Sequence, residues 1–207
     1  MKKITEKYNV SYETITKLKT YQTLLNEWQA KFNLVSKSSL EDAWNRHFLD
    51  SMQLFKYIPD TAKSLADFGS GAGFPGMVLA IMAQEKTPYL KVNLIESTKK
   101  KTAYLKEVAA ATGTEVNIIN DRIENLKGQK FDVITSRAMT SLVDLLGYAE
   151  PFCLKDTVCI FPKGRNYAAE LAEAHKTWRF KCRIEPSDLS PESRILIITD
   201  IANKRRK

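Results

Sequence analysis

The chain has 207 residues, 43% hydrophobic and 27% charged, enough for one sizeable core without disulfide or metal staples. Its apolar runs, such as Met77 to Ala83, are too short to span a bilayer, and no apolar stretch follows the charged N-terminus, so neither a membrane helix nor a secretory signal is expected. Lysine and arginine outnumber the acids by 32 to 24, a net charge of +8 that favours a polyanionic partner through counterion release.

The first sixty residues read as a helical extension (1–60). Ile15, Leu18, Tyr21, Leu24, Leu25 and Trp28 recur at spacings of three and four, the stripe of one buried helix face. Ser11 is its expected N-cap, with Thr14 standing where a capping box wants Glu. After a break at 33–39, a second helix is expected from about Leu40 to Tyr57.

From residue 61 the pattern changes to short strands alternating with helices. Strands are expected at Ser64–Phe68, Lys91–Ile95, Glu115–Ile119, Phe131–Thr135 and Thr157–Phe161. Helices are expected at Pro75–Gln84, Thr98–Ala111, Ser141–Cys153 and Tyr167–His175. Two further strands, Trp178–Glu185 and Arg194–Ile201, form an antiparallel pair closing the sheet edge. The alternation implies one α/β unit over 61–207, a mostly parallel seven-stranded sheet with helices on both faces. Cys153, Cys159 and Cys182 form no C-x-x-C pair and are expected to be reduced thiols in the cytoplasm, with no metal role. Lys99-Lys100-Lys101 and the tail Lys204 to Lys207 concentrate positive charge.

The strongest local signal runs from Leu65 to Gly76, where a strand enters a loop with glycines at 69, 71, 73 and 76 and a helix begins. Such glycines permit positive φ and let a ligand approach the backbone, and the helix start adds free N–H groups. Gly71, Gly73 and Gly76 satisfy G-x-G-x-x-G, the dinucleotide fingerprint. Register argues against that ligand, because a strand ending at Phe68 starts the loop at Gly69 and leaves Phe74 where the pattern needs glycine. Asp67 followed by G-x-G-x-G resembles instead the cofactor loop of Rossmann-like methyltransferases, where a carboxylate suits a sulfonium cation and would oppose a pyrophosphate. Glu96, at the end of the second strand, is placed to accept both ribose hydroxyls, or else to cap the next helix. After the third strand, Ile123 is placed to cover an adenine and Glu124 to meet its edge.

At the end of the fourth strand stands Thr135-Ser-Arg137-Ala138, with neither the Asn/Asp-Pro-Pro-aromatic loop used on exocyclic amines nor a cysteine nucleophile for pyrimidine C5. Guanine N7 carries no proton and needs only positioning and a suitable field, so it fits as acceptor. No catalytic group is assigned; Arg137 and Lys163 are the positioning candidates. Arg137 is suited to the cofactor carboxylate, a phosphate or a base edge, and Lys163 to a phosphate or guanine O6, with plain salt bridges as the alternative for both.

Five segments appear in order: Asn33-Leu-Val-Ser36, Arg46-His47-Phe-Leu-Asp50-Ser51, Asp67 to Gly76, Ser136-Arg137-Ala138 and Lys163-Gly164. Together they resemble the glucose-inhibited division protein B (RsmG) family. The resemblance implies a Rossmann-like S-adenosylmethionine-dependent methyltransferase acting on N7 of a guanosine in the decoding region of 16S rRNA, free or in a small-subunit precursor, and a cytoplasmic monomer. By matching positions it implies cofactor contacts at Gly69, Phe74, Ile123, Glu124 and Arg137, with Glu96 as ribose partner beside Asp67, Gly71 and Gly73. Glu96 and Phe74 stand where other members carry Asp and Leu. Arg46 and His47 become candidates for RNA contact, Arg46 with Asp50 as an i,i+4 pair, against the alternative of a helix-docking network.

Overall fold

The structure is a computed structural model that describes residues 2–205; Arg206 and Lys207 of the basic tail lie outside the described residues. The chain opens with α1 (Lys2–Tyr8), α2 (Tyr12–Gln29) and α3 (Lys37–Leu40). The second expected helix is not continuous. It is divided into a π turn (Trp44–Leu49), α4 (Asp50–Met52) and a 3₁₀ turn (Gln53–Tyr57). The alternating unit follows as β1 (Ser64–Phe68), α5 (Gly76–Lys86), β2 (Lys91–Ile95), α6 (Lys99–Thr112) and β3 (Asn117–Ile119). It continues through β4 (Phe131–Thr135), α7 (Leu142–Ala149), β5 (Cys153–Lys163), α8 (Tyr167–Thr177), β6 (Trp178–Pro186) and β7 (Arg194–Asn203).

The seven strands lie in the order β3-β2-β1-β4-β5-β7-β6. β1 to β5 are mutually parallel, and β7 runs antiparallel to both its neighbours. The closing hairpin therefore folds back: β7 inserts beside β5 and β6 takes the edge. Burial explains the choice. β7 carries the run Ile195 to Ile198, buried on both faces, whereas β6 alternates buried and exposed side chains as an edge strand does.

α2 begins where Ser11 caps it, the side chain accepting from the Thr14 N–H at 3.2 Å. The acid missing from the local capping box arrives from α5. Glu85 accepts from the Ser11 N–H at 2.9 Å and from the Thr14 hydroxyl at 2.6 Å. Burial opposes the charge on Glu85, but these bonds outweigh it and hold its carboxyl below the usual range. Ile15, Leu18, Tyr21 and Leu25 are fully buried in the same cluster as Leu65, Leu79, Leu94 and Leu105, so the N-terminal helices share one sheet face with α5 and α6. α7 and α8 cover the opposite face through Leu142, Leu146 and Ala174. No helix of the described residues is long and apolar enough to cross a membrane.

Candidate active site

Because β1 to β4 are parallel and in register, their carboxyl ends open on one rim, where ligands bind in open α/β sheets. β1 stops at Phe68 and the loop starts at Gly69, the register that the glycine spacing requires. Gly69, Gly71 and Gly73 all have positive φ (+64°, +57° and +94°). Their surroundings differ. A Cβ on Gly71 would meet only the Gly69 carbonyl oxygen at 3.7 Å, so this loop face is open to a ligand. A side chain at Gly73 would run into the Tyr21 hydroxyl and Leu105, so Gly73 serves the packing of α2 against the loop. Tyr21 donates to the Ala72 carbonyl and stacks on Phe74 at 5.2 Å, which locks the loop from the N-terminal side. Gly76 lets α5 lie close on the sheet, since a Cβ there would fall 2.6 Å from that of Asp67.

Two cavities flank the loop. One, about 520 Å³, is lined by Gly69, Gly71, Glu96, Ile123 and Glu124. The buried Glu96 carboxylate accepts from the Gly71 N–H at 2.9 Å and from the Thr98 N–H at 2.8 Å, so it both shapes the loop and caps the approach to α6. Each oxygen keeps a lone pair for a ribose hydroxyl. Ile123 supplies an apolar surface and Glu124 an exposed edge. The open face over Gly71, the carboxylate and the apolar floor fit the adenosyl part of S-adenosylmethionine. Asp67 lines neither cavity. It lies fully buried beneath the loop, with Oδ1 accepting from the Thr135 hydroxyl at 2.8 Å and Oδ2 lacking a partner among the described residues. Burial pushes its carboxyl up to about 6, against the Thr135 bond.

The second cavity, about 720 Å³, lies under the N-terminal helices and is lined by Arg46, His47, Asp50, Phe74, Lys101 and Arg137 among others. Its wall is a network centred on Arg137, which donates to the Arg46 carbonyl at 2.9 Å, to His47 Nδ1 at 2.7 Å and to Asp50 at 3.3 Å. Arginine cannot accept, so His47 Nδ1 is unprotonated and the neutral ring carries its proton on Nε2. Burial, then Arg137 and Arg46, push the His47 pKa down to about 4. The ring stacks on Phe74 at 4.9 Å, and the Arg137 guanidinium lies over the same phenyl ring. Asp50 thus pairs with Arg137, correcting the expected pairing with Arg46. The π turn carries Asp50 inward, while Arg46 stays exposed and reaches the Ser38 carbonyl, at 3.5 Å. The helix-docking role of this segment and its place beside the cavity are one arrangement.

A third cavity of about 300 Å³ adjoins Asp50 and Arg137 and is lined by Lys163. The Lys163 ammonium is paired with Glu170 at 2.7 Å and donates to the Thr140 carbonyl at 3.3 Å. Three residues absent from the expected site belong to it: Tyr21, Lys101, which lines both large cavities, and Ala138. In the sequence Lys101 carries no mark beyond its place in a basic helix start. Among the described residues no cluster of His, Cys, Asp or Glu is arranged to hold a metal ion.

Comparison with known proteins agrees with this geometry. A TehB-like SAM-dependent methyltransferase from Corynebacterium glutamicum superposes with a TM-score of 0.58 at 16% identity, over 86% of this chain and 98% of that one. The mitomycin 7-O-methyltransferase MmcR gives 0.59 at 15%, over 79% and 58%. At such identities the likeness speaks for the fold alone, the Rossmann-like methyltransferase fold. Ribosomal RNA small subunit methyltransferase G of Paramagnetospirillum magneticum is 42% identical over 96% of this chain and 95% of its own length. That of Rhodospirillum centenum is 40% identical over 94% and 88%. The family model described as GidB, rRNA small subunit methyltransferase G, matches residues 14–190, and the chain belongs to that family.

Proposed function

We propose that this chain transfers the methyl group of S-adenosylmethionine to N7 of a guanosine in the decoding region of 16S ribosomal RNA. As a member of its family it is an S-adenosylmethionine-dependent methyltransferase of small-subunit ribosomal RNA. One observation carries the reading furthest. The cavity shaped for an adenosyl group and the cavity under the N-terminal helices meet at Gly69, Gly71, Lys101 and Ala138.

When bound, the cofactor supplies an electrophilic methyl group on a sulfonium sulfur. Glu96 and Ile123 hold its nucleoside end, and the open backbone at Gly71 lets it lie on the loop. The buried charge of Asp67 favours a cation above it. At the acceptor end the carboxylates and the histidine are engaged: Asp42 with Asn45, Asp50 with Arg137 and Gln53, Glu170 with Lys163 and the Leu142 N–H, and His47 with Arg137. Cys153, Cys159 and Cys182 line none of the three cavities. An acceptor with an in-plane lone pair and no proton to lose suits such a site. The N7 lone pair forms the new N–C bond, the C–S pair returns to sulfur, and the positive charge passes to the purine. Arg46 and Lys101, a cation on each of two elements lining the large cavity, suit RNA phosphates. We also propose that it works as a monomer in the cytoplasm, on rRNA or a precursor particle.

Incubating the purified protein with labelled S-adenosylmethionine and 16S rRNA lacking the modification, then digesting to nucleosides, tests the reading. Label in 7-methylguanosine is expected. Label in any other nucleoside refutes the acceptor, and no cofactor binding refutes the whole.

A further inference from the structure

Ala138 has a backbone conformation that alanine seldom adopts, with φ at +54°. Among the described residues the other non-glycine cases are Asn9 and Asp200, types that enter this region more readily. The turn is held from both sides. Before it, the Ser136 hydroxyl donates to the Phe68 carbonyl at 2.9 Å and Arg137 is tied to Arg46 and His47. After it, the Met139 side chain packs against Gly69 and the Thr140 hydroxyl donates to Asp144 at 3.1 Å. Glycine would make the same turn without strain, so the methyl group occupies this place at a cost.

A second observation is independent of the strain. Ala138 lines all three cavities, the adenosyl-shaped one, the large one under the N-terminal helices and the small one beside Lys163, and it is the residue they share. Direct methyl transfer requires donor carbon and acceptor atom in line and roughly 3 Å apart. That meeting is possible only where the cofactor cavity opens into the acceptor side.

We propose that Ala138 is an acceptor-site residue. Its methyl group, delivered by the left-handed turn to the junction of the cavities, is the wall against which the purine is set before transfer. This rests on the methyltransferase reading above, but not on which purine atom is methylated. Removing the methyl leaves the base loose in its slot, and a β-branched side chain fills the slot.

Ala138→Gly and Ala138→Val separate this role from a structural one. Three quantities are measured for each: the melting temperature of the cofactor-free protein, the dissociation constant for S-adenosylmethionine, and the rate of labelled methyl transfer to unmodified small-subunit RNA. Ala138→Gly is expected to melt no lower than the wild type and to bind cofactor within threefold of it. Its transfer rate at saturating RNA falls at least tenfold, while KM for RNA stays within threefold, because orientation and not affinity is lost. Ala138→Val binds cofactor and transfers nothing measurable; should it fail to fold, the glycine variant decides alone. Transfer by Ala138→Gly at the wild-type rate overturns the proposal. Cofactor affinity weakened more than threefold also overturns it, since the residue then serves the cofactor and not the acceptor. Wild-type protein that binds cofactor but labels no RNA overturns the reading beneath it, and with it the acceptor assigned to this slot.

Discussion

Acidification acts on two buried groups of this site in opposite directions. Burial first, then Arg137 and Arg46, hold His47 at about 4, against an ordinary value of 6.5. Below pH 6.5 the unfolded chain takes up a proton there that the folded chain refuses until about pH 4. Stability from this group therefore falls as pH drops across that window, by about 3 kcal/mol at about 1.36 kcal/mol per pH unit, and then levels off. Asp67 behaves in the reverse way. Its carboxyl sits at about 6 in the fold, against 3.8 ordinarily, so the folded chain gains its proton first. Its contribution is fully present below pH 3.8 and is lost as pH rises through 6, again about 3 kcal/mol. In the wild type the two slopes nearly cancel. His47→Gln keeps an acceptor for Arg137 but does not titrate, which leaves the Asp67 slope exposed; Asp67→Asn leaves that of His47. Urea unfolding of the three proteins in half-unit steps from pH 7 to pH 4 separates the two, because the other carboxylates titrate alike in all three. Relative to wild type, His47→Gln is expected to gain about 3 kcal/mol on acidification and Asp67→Asn to lose a similar amount. Three parallel curves would refute the burial and the partners assigned to both groups.

Other substitutions read other parts of the site. Gly71→Ala places a methyl on the open face of the loop at positive φ. Calorimetric titration should show S-adenosylmethionine affinity reduced at least tenfold, with about 1 kcal/mol of stability lost in urea unfolding. Arg137→Lys cannot span the Arg46 carbonyl, His47 and Asp50 together. It should cost roughly 2 kcal/mol in denaturant and lower RNA methylation at least tenfold. Glu85→Ala removes the acid that completes the cap of α2 from another helix. A loss of about 1 kcal/mol is expected with cofactor affinity unchanged, and an unaltered denaturation midpoint would contradict it.

Much of the fold was legible because its strands are short apolar runs bounded by loop residues. β1, β2 and β4 fall where the residue pattern put them. β5 begins earlier than expected, at Cys153, because the exposed stretch Leu154, Lys155 and Asp156 is absorbed as an irregularity: Phe131 pairs with Cys153 and Val133 with Val158. The hairpin order was also written in the chain, as a continuous apolar run in β7 and alternation in β6, but strand adjacency is a tertiary choice that two plausible strands do not settle. In the site, Gly69, Gly71, Glu96 and Arg137 carry local marks, a glycine or a charge at a strand end, and the structure brings them to one rim with Ile123 and Glu124. Tyr21 carries none, since its partner is fifty-one residues away on another element. Ala138 carries none either, because nothing about an alanine announces a positive φ.

Methyl transfer by this chain to N7 of a guanosine leaves a chemical mark in 16S rRNA. Borohydride reduction followed by aniline cleavage breaks RNA at 7-methylguanosine, so primer extension on 16S rRNA from cells with and without the gene reports it directly. A decoding-region cleavage is expected that disappears with the gene, returns with the wild-type protein and does not return with Gly71→Ala. A cleavage pattern identical with and without the gene contradicts it.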